Sequence, residues 1–314
     1  MSDEPVDISN QEDGQGEQTP SSKKPGFAPA SADLEIFKLL YEYRFLRREH
    51  LSLLTGRNPT SLHYRLKKLA ENGDLNDLKV AKQPGQKHIY SLGKAALRSL
   101  VEKGIADEEV LIKRLRTHEL KPLYLNHEMM IIDFHVMLSL ATRGSFLRLV
   151  RWEEGRHLYD SVVVKGERLP VTPDAFFTLE DSRRPAGRNL ADFFLEADRT
   201  RETWPKQFQN KVRAYWCYLK DGPHEKKFNE EKITITNFRV LTLTISHKRA
   251  EILSDKTHKL VPEGRKHYLF SSLENFSLEN PAPILEAVYL RPGAEIRHPL
   301  IPPPQPSQVE TSVV

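Results

Sequence analysis

Cysteine is almost missing from this sequence: Cys217 is the single one in 314 residues. One thiol cannot close an internal disulfide, which points to a reducing compartment. Long apolar runs are missing as well. The best candidate, Met129 to Ala141, is interrupted by Asp133 and His135 and falls short of the ~20 residues that a membrane span needs. The first residues, Ser2-Asp3-Glu4-Pro5, hold no apolar signal core. These absences predict a cytoplasmic protein, neither exported nor embedded. No internal repeat is visible.

What is present reads as an ordinary globular composition, with 39% hydrophobic and 29% charged residues. The net charge of +4 hides an asymmetry. Residues 1–30 carry six acids and two bases, whereas Arg44 to Lys103 carry thirteen bases and five acids. Positive charge gathered in one segment is the footprint of a phosphate-binding surface.

The sequence divides into five stretches. Residues 1–31 are acidic and Gly/Gln/Ser/Pro-rich, a composition expected to be disordered. Residues 32–104 hold helix-period segments and one hairpin. Residues 105–123 form a connector with a charged helical pattern over Asp107 to His118. Residues 124–285 alternate strands and helices, and 286–314 read as a Pro-rich tail containing Pro302, Pro303, Pro304 and Pro306.

In the second stretch, Asp33 is placed to cap a helix through Phe37, Leu40 and Tyr41. A short helix, Arg48 to Leu54, closes at Gly56. Asn58 is a good N-cap for a third helix beginning at Pro59, whose missing N–H is no loss there, and ending at Gly73. Leu62, Leu66 and Leu69 share the inner face of that helix. Thr60, Ser61, Tyr64, Lys67 and Lys68 share the outer one, with Arg65 at the edge and Arg57 and Asn58 at its start. Hydroxyls and ammonium groups on such a face suit phosphates and base edges in a major groove. Two short strands, Leu75 to Ala81 and His88 to Leu92, flank a Pro84-Gly85 turn whose tip carries Lys82 and Lys87. With a closing helix, Lys94 to Lys103, this is the order of a winged helix-turn-helix that binds double-stranded DNA. Winged helices also serve as protein–protein modules.

In the fourth stretch, Leu123 to Ala141 reads as an apolar helix with His127, expected to pack or cap, at its start. Strands follow at Phe146 to Glu153, which Leu158 to Val164 extends or pairs with, at Val171 to Leu179 and at Asn189 to Asp198. A helix, Pro205 to Lys220, precedes a strand at Phe238 to Ile245, a helix from Lys248 and a strand at His267 to Phe270. Residues two apart on a strand share a face, so Glu196 and Asp198 project together, and Asp174 on an antiparallel neighbour reaches the same place. Three convergent carboxylates are what a hard cation such as Mg²⁺ needs, and such a cation activates water against a phosphodiester.

The order helix, three-stranded meander, helix, strand resembles the PD-(D/E)XK nuclease fold, with Asp174 and Glu196 at its two acidic positions. The third position of that pattern is a lysine, and here it is Asp198; Lys206 and Lys211, with Gln207 beside them, stand on the following helix. The whole span from Ala32 to Phe276 resembles the bacterial replication-relaxation family. The resemblance is carried by Leu34 to Gly56, Arg65 to Asp74, Gln86 to Leu97, Leu125-Asn126-His127-Glu128, Thr172-Pro173-Asp174-Ala175 and Phe194 through Glu202. It implies Glu-x-Asp-Arg-x-x-Glu as the family's own pattern, followed by a helix with Lys211 and Tyr215.

The expected protein is therefore α+β. An N-terminal winged helix precedes a restriction-endonuclease-like mixed sheet, and it acts as a DNA-binding accessory of plasmid or mobile-element replication. Its expected partners are double-stranded DNA and a second copy of itself or replication and mobilisation proteins. Two alternatives stay open. One is a Mg²⁺-dependent nuclease or nickase using Asp174, Glu196, Asp198 and Lys211; the other is a transcriptional regulator with a dead nuclease-like domain. A tyrosine relaxase is disfavoured, because Tyr215 sits beside Trp216 as a core residue would and no His-hydrophobe-His motif accompanies it.

Overall fold

Apolar residues surround the helix from Pro122 to Ala141 on nearly every side, a pattern that belongs to a helix covered all round. Leu125, Met129, Ile132 and Val136 form one stripe, spaced by four, three and four residues. Met130, Ile131, Phe134, Met137 and Leu138 form another. In the computed structural model, which describes residues 29–78, 88–107, 122–200, 205–230 and 235–304, each stripe belongs to a different core.

The first stripe closes a helical block. Its elements are α1 (Asp33–Tyr43), β1 (Leu46–Arg47), α2 (Arg48–Thr55), α3 (Pro59–Glu71), β2 (Leu75–Leu78), β3 (Ile89–Leu92) and α4 (Lys94–Glu102). The three strands form an antiparallel sheet in the order β1-β3-β2. Ile36, Phe37 and Leu40 of α1 and Leu62, Leu66 and Leu69 of α3 are buried together with Leu125, Met129, Ile132 and Val136 of the long helix, α5. Polar ties reinforce this junction. Asp133 receives the Arg47 guanidinium at 3.0 Å and lies 2.9 Å from His50 Nε2. The Tyr43 hydroxyl donates to Ser139 at 3.0 Å, and Arg143 donates to the Leu53 and Leu54 carbonyls. His135 lies between Tyr43 and Trp152, stacked on the indole at 3.8 Å. Burial pushes its pKa down to about 3, so the ring is neutral.

The second stripe packs on a five-stranded mixed sheet ordered β10-β9-β8-β7-β4. Strands β4 (Leu147–Glu153), β7 (Ala175–Asp181) and β8 (Leu190–Asp198) form an antiparallel meander. Strands β9 (Phe238–Thr244) and β10 (Tyr268–Ser272) then add in parallel after crossovers through α6 (Lys206–Lys220), α7 (Pro223–Glu230) and α8 (His247–Leu260). Residues of α6 and α8 cover the face of the sheet opposite α5. Along β8 the pleat sends Phe193, Leu195 and Ala197 toward α5 and Phe194 toward α6. Glu196 and Asp198 follow Phe194. The molecule is α+β with mixed strand directions, as its composition of segments predicts.

Several expectations are corrected. Asp33 does not cap α1 through its side chain: it is buried, accepting from the Ala30 N–H at 2.7 Å and from Arg65. Leu158 to Val164 neither extends nor pairs with β4. Instead β5 (Asp160–Val164) pairs with β6 (Glu167–Val171) in a separate antiparallel hairpin, and a break at Thr172–Asp174 splits the strand expected over 171–179. The boundary expected at 124 falls inside a shared core, since α5 serves both blocks. The Pro-rich tail expected from 286 is packed as far as Pro302: Tyr289 bridges to His298, Leu300 and Ile301 are buried in the sheet's core, and the Pro302 carbonyl accepts from Arg184 at 2.6 Å. The expected helix over 107–118, the hairpin tip with Lys82 and Lys87, and the acidic segment before Pro29 lie outside the described residues.

If α5 holds both cores, Ile132→Ala in the full chain should lower the unfolding free energy by ~2–5 kcal/mol. Denaturant titration measures this, and a loss below ~1 kcal/mol would show that the stripe is not packed as described.

Candidate functional site

Two surfaces collect the residues singled out by the sequence. The first is α3. Asn58 caps it, its side-chain oxygen accepting from the Thr60 N–H at 2.9 Å and the Ser61 N–H at 3.4 Å. Arg57 turns back to α1, donating to the Ala32 carbonyl at 2.6 Å and Glu35 at 2.7 Å. Arg65 makes a two-point contact with the buried Asp33 carboxylate; burial works against that charge, and Arg65 outweighs it, holding Asp33 below its usual range. Arg57 and Arg65 thus orient the helix against α1, while Asn58 caps its start. Thr60, Ser61, Tyr64, Lys67 and Lys68 remain exposed, Tyr64 at 64%. Glu71 is the acid nearest Lys67, 3.8 Å from its Nζ one turn along.

The second surface is the carboxyl end of β8. Here Asp174, Glu196 and Asp198 come near one another, each with its own partners. Asp174 accepts the Ala197 N–H at 2.7 Å and lies 3.5 Å from His127 Nε2, which also stands 3.2 Å from the Ala197 carbonyl. Hydrogen bonding to Asp174 raises the His127 pKa above its ordinary value. Glu196 is buried, accepting from the Tyr215 hydroxyl at 2.6 Å and from Lys211 Nζ. Burial pushes its carboxyl up to about 7; Asp174 adds to the rise and Lys211 opposes it. Burial also works against the Lys211 charge, but Glu196 and Asp174 outweigh it and hold that amine above its ordinary value. Asp198 accepts from Arg249 Nε at 2.6 Å and from the Thr200 hydroxyl at 2.8 Å, in a pair where each side chain is only 7% exposed. Arg249 in turn donates to the same hydroxyl at 2.7 Å.

Lys211 therefore reaches Glu196, whereas Lys206 does not join it and stays exposed. Tyr215 is core, as expected, and yet its hydroxyl is spent on Glu196. The sequence reading missed Arg249 and Thr200, and undervalued His127. A signal existed for Thr200, since Asp-x-Thr is a local hydroxyl–carboxylate turn; Arg249 is distant in sequence and gave none. A cavity of about 420 Å³ opens at this strand end, lined among others by His127, Glu196, Arg199, Gln207, Phe208 and Lys211.

A divalent cation does not fit this donor set as it stands. Lys211 and Arg249 already compensate Glu196 and Asp198, and the raised Glu196 pKa disfavours the anionic form a hard cation requires. Among the described residues, no three His, Cys, Asp or Glu side chains form a group that could hold a metal ion.

The fold and this strand end define an α+β protein whose mixed sheet presents buried, cation-compensated acids. The family model described as Replication-relaxation matches residues 37–231, more than half of the chain, and the chain belongs to that family. Membership supports a role in plasmid or mobile-element replication or relaxation. Searches of curated proteins and of solved structures found no match. No helix among the described residues is long and apolar enough to cross a membrane.

Arg249→Met should cost ~3–5 kcal/mol, because it strands a buried carboxylate, and adding Asp198→Asn should recover most of the loss. Urea midpoints of the two variants check this; equal losses would contradict it. The Glu196 carboxyl binds its proton more tightly when folded than at its ordinary 4.5. Its stabilisation is present below pH 4.5 and is lost as pH rises through about 7. Glu196→Gln should remove that decline in the urea midpoint over the same window.

Proposed function

We propose that this member of the replication-relaxation family binds duplex DNA through its N-terminal block, read as a winged helix, with α3 as the helix that enters the major groove. The observation that carries the reading is the division of labour on α3. The side chains at its start and edge are spent on α1, while Thr60, Ser61, Tyr64, Lys67 and Lys68 are left outward. Those groups offer hydroxyls and charge to phosphates and base edges, and the chemistry supplies affinity before it supplies a sequence code. The β2–β3 hairpin that follows α3 supports the same reading, because its order and pairing are those of a wing. The second block is then a nuclease-like scaffold whose strand-end acids are held by Lys211 and Arg249.

A Mg²⁺-dependent nickase is the second reading. What favours it is Lys211, which reaches Glu196 from the helix after the strand; what opposes it is that the acids are already partnered. Nicking of supercoiled plasmid that needs Mg²⁺ and disappears in Asp174→Ala would establish it.

For the leading reading, fluorescence anisotropy of the full chain on duplex DNA should show affinity falling steeply with salt. Lys67→Ala with Lys68→Ala should weaken binding about tenfold and lower the log–log salt slope by about two. Absence of binding at low salt would overturn the assignment.

A further inference from the structure

At the opposite end of the sheet, where β9 and β10 begin, positive charge outnumbers negative. A cavity of about 570 Å³ is lined by Glu263, Arg265, Lys266, Arg291 and His298, among others. Three permanent cations thus face one carboxylate. Among the described residues, none of Arg265, Lys266 and Arg291 is in an ion pair. Arg291 Nε and His298 Nε2 are shut off from solvent without a hydrogen-bond partner. Buried polar atoms of this kind are rare in native proteins and ask for an explanation. Arg239, one strand inward, is spent on the Leu300 carbonyl at 3.1 Å. Burial lowers its pKa, and Arg291 and Arg184 push it the same way. The charge is therefore repulsive from within as well as unmatched at the wall.

The backbone is built to hold this arrangement. Arg291-Pro292-Gly293-Ala294 is a turn closed by the Ala294 N–H donating to the Arg291 carbonyl at 3.0 Å. Gly293 has φ +74, and a Cβ there would come within 2.6 Å of the His258 ring. No other residue satisfies both demands. The turn thus fixes Arg291 over the cavity, while the Tyr289–His298 bridge fixes His298 from the returning strand.

We propose that this cavity is a binding site for a phosphate group. A surplus of two positive charges matches a phosphate dianion, and a guanidinium fork with a second arginine and a lysine is the donor set that such an anion takes. The cavity shares no lining residue with the strand-end site and takes none from α3, so it is separate from both. A phosphate monoester and a nucleic-acid phosphodiester both present non-bridging oxygens to such donors, the diester with one charge fewer.

The test uses the full chain and inorganic phosphate at constant ionic strength, read by calorimetric titration and by melting temperature against chloride. Saturable binding is expected, with a rise in melting temperature. Arg291→Gln should weaken it at least tenfold, and Lys266→Gln, at an exposed position that cannot unfold the protein, should weaken it severalfold. Without phosphate, Arg291→Gln should melt no lower than the parent, since it removes repulsion; a purely structural arginine would show the reverse. Duplex titration of the two variants then separates the sources. Reduced duplex affinity with a smaller salt slope assigns the site to a DNA phosphodiester, and unchanged duplex affinity assigns it to a free phosphate ester. No saturable phosphate binding, or binding unaffected by both substitutions, overturns the proposal, and neither result bears on α3.

Discussion

The burial of α5 on two sides governs everything else in this molecule. Between Met129 and Leu138 only Asp133 is not buried, and that residue is held by Arg47 and His50 of the neighbouring block. Each fully buried side chain of this size contributes ~1.5–3 kcal/mol. A single helix therefore draws on two cores at once. Because one stripe faces α1–α4 and the other faces the sheet, the direction of α3 relative to β8 is set by the angle between two rows of side chains. Inserting one residue between the rows of α5 would turn one surface against the other by about 100°.

Charge placement follows a matching logic. Where acids are buried, at the end of β8, cations from later elements neutralise them: Lys211 from α6 and Arg249 from α8. Removing the members of such a pair one at a time is costly, whereas the pair itself adds little net stability. Its value here is positional, because Arg249 ties α8 to β8 across the parallel strand between them. Where cations are gathered, on α3 and at the start of β9 and β10, acids are scarce. The two kinds of surface differ in what they ask of a partner.

Much of the fold was legible because it is written locally. The Leu62-Leu66-Leu69 spacing, the Asn58-Pro59 start and Gly56 and Gly73 at the stops bound α2 and α3 to within a residue or two. The β5–β6 hairpin was readable and was misread. Lys165-Gly166 is a two-residue turn with both φ values positive, 51° and 84°, as a tight hairpin requires, yet the lysine disguised it. The packed tail was missed for a different reason: the prolines dominate its composition, while three apolar residues, Tyr289, Leu300 and Ile301, decide its place. At the site, Asp174, Glu196, Asp198 and Lys211 were legible from strand alternation and the following helix. Arg249 was not, since its contact spans 51 positions and has no local pattern.

The two-faced helix also sets the rules for exchanging parts between relatives. A chimera joined in the stretch before Pro122 would pair a foreign first block with a resident α5 whose Leu125, Met129, Ile132 and Val136 were shaped for another surface. A junction after Ala141 carries the mating stripe along, but then sets a foreign Phe134 against Trp152 and Phe177. Neither splice is neutral. The transferable unit is the first block plus both rows of contacts that α5 makes, so recombination between distant homologues should succeed only where α5 and the inner face of the sheet travel together.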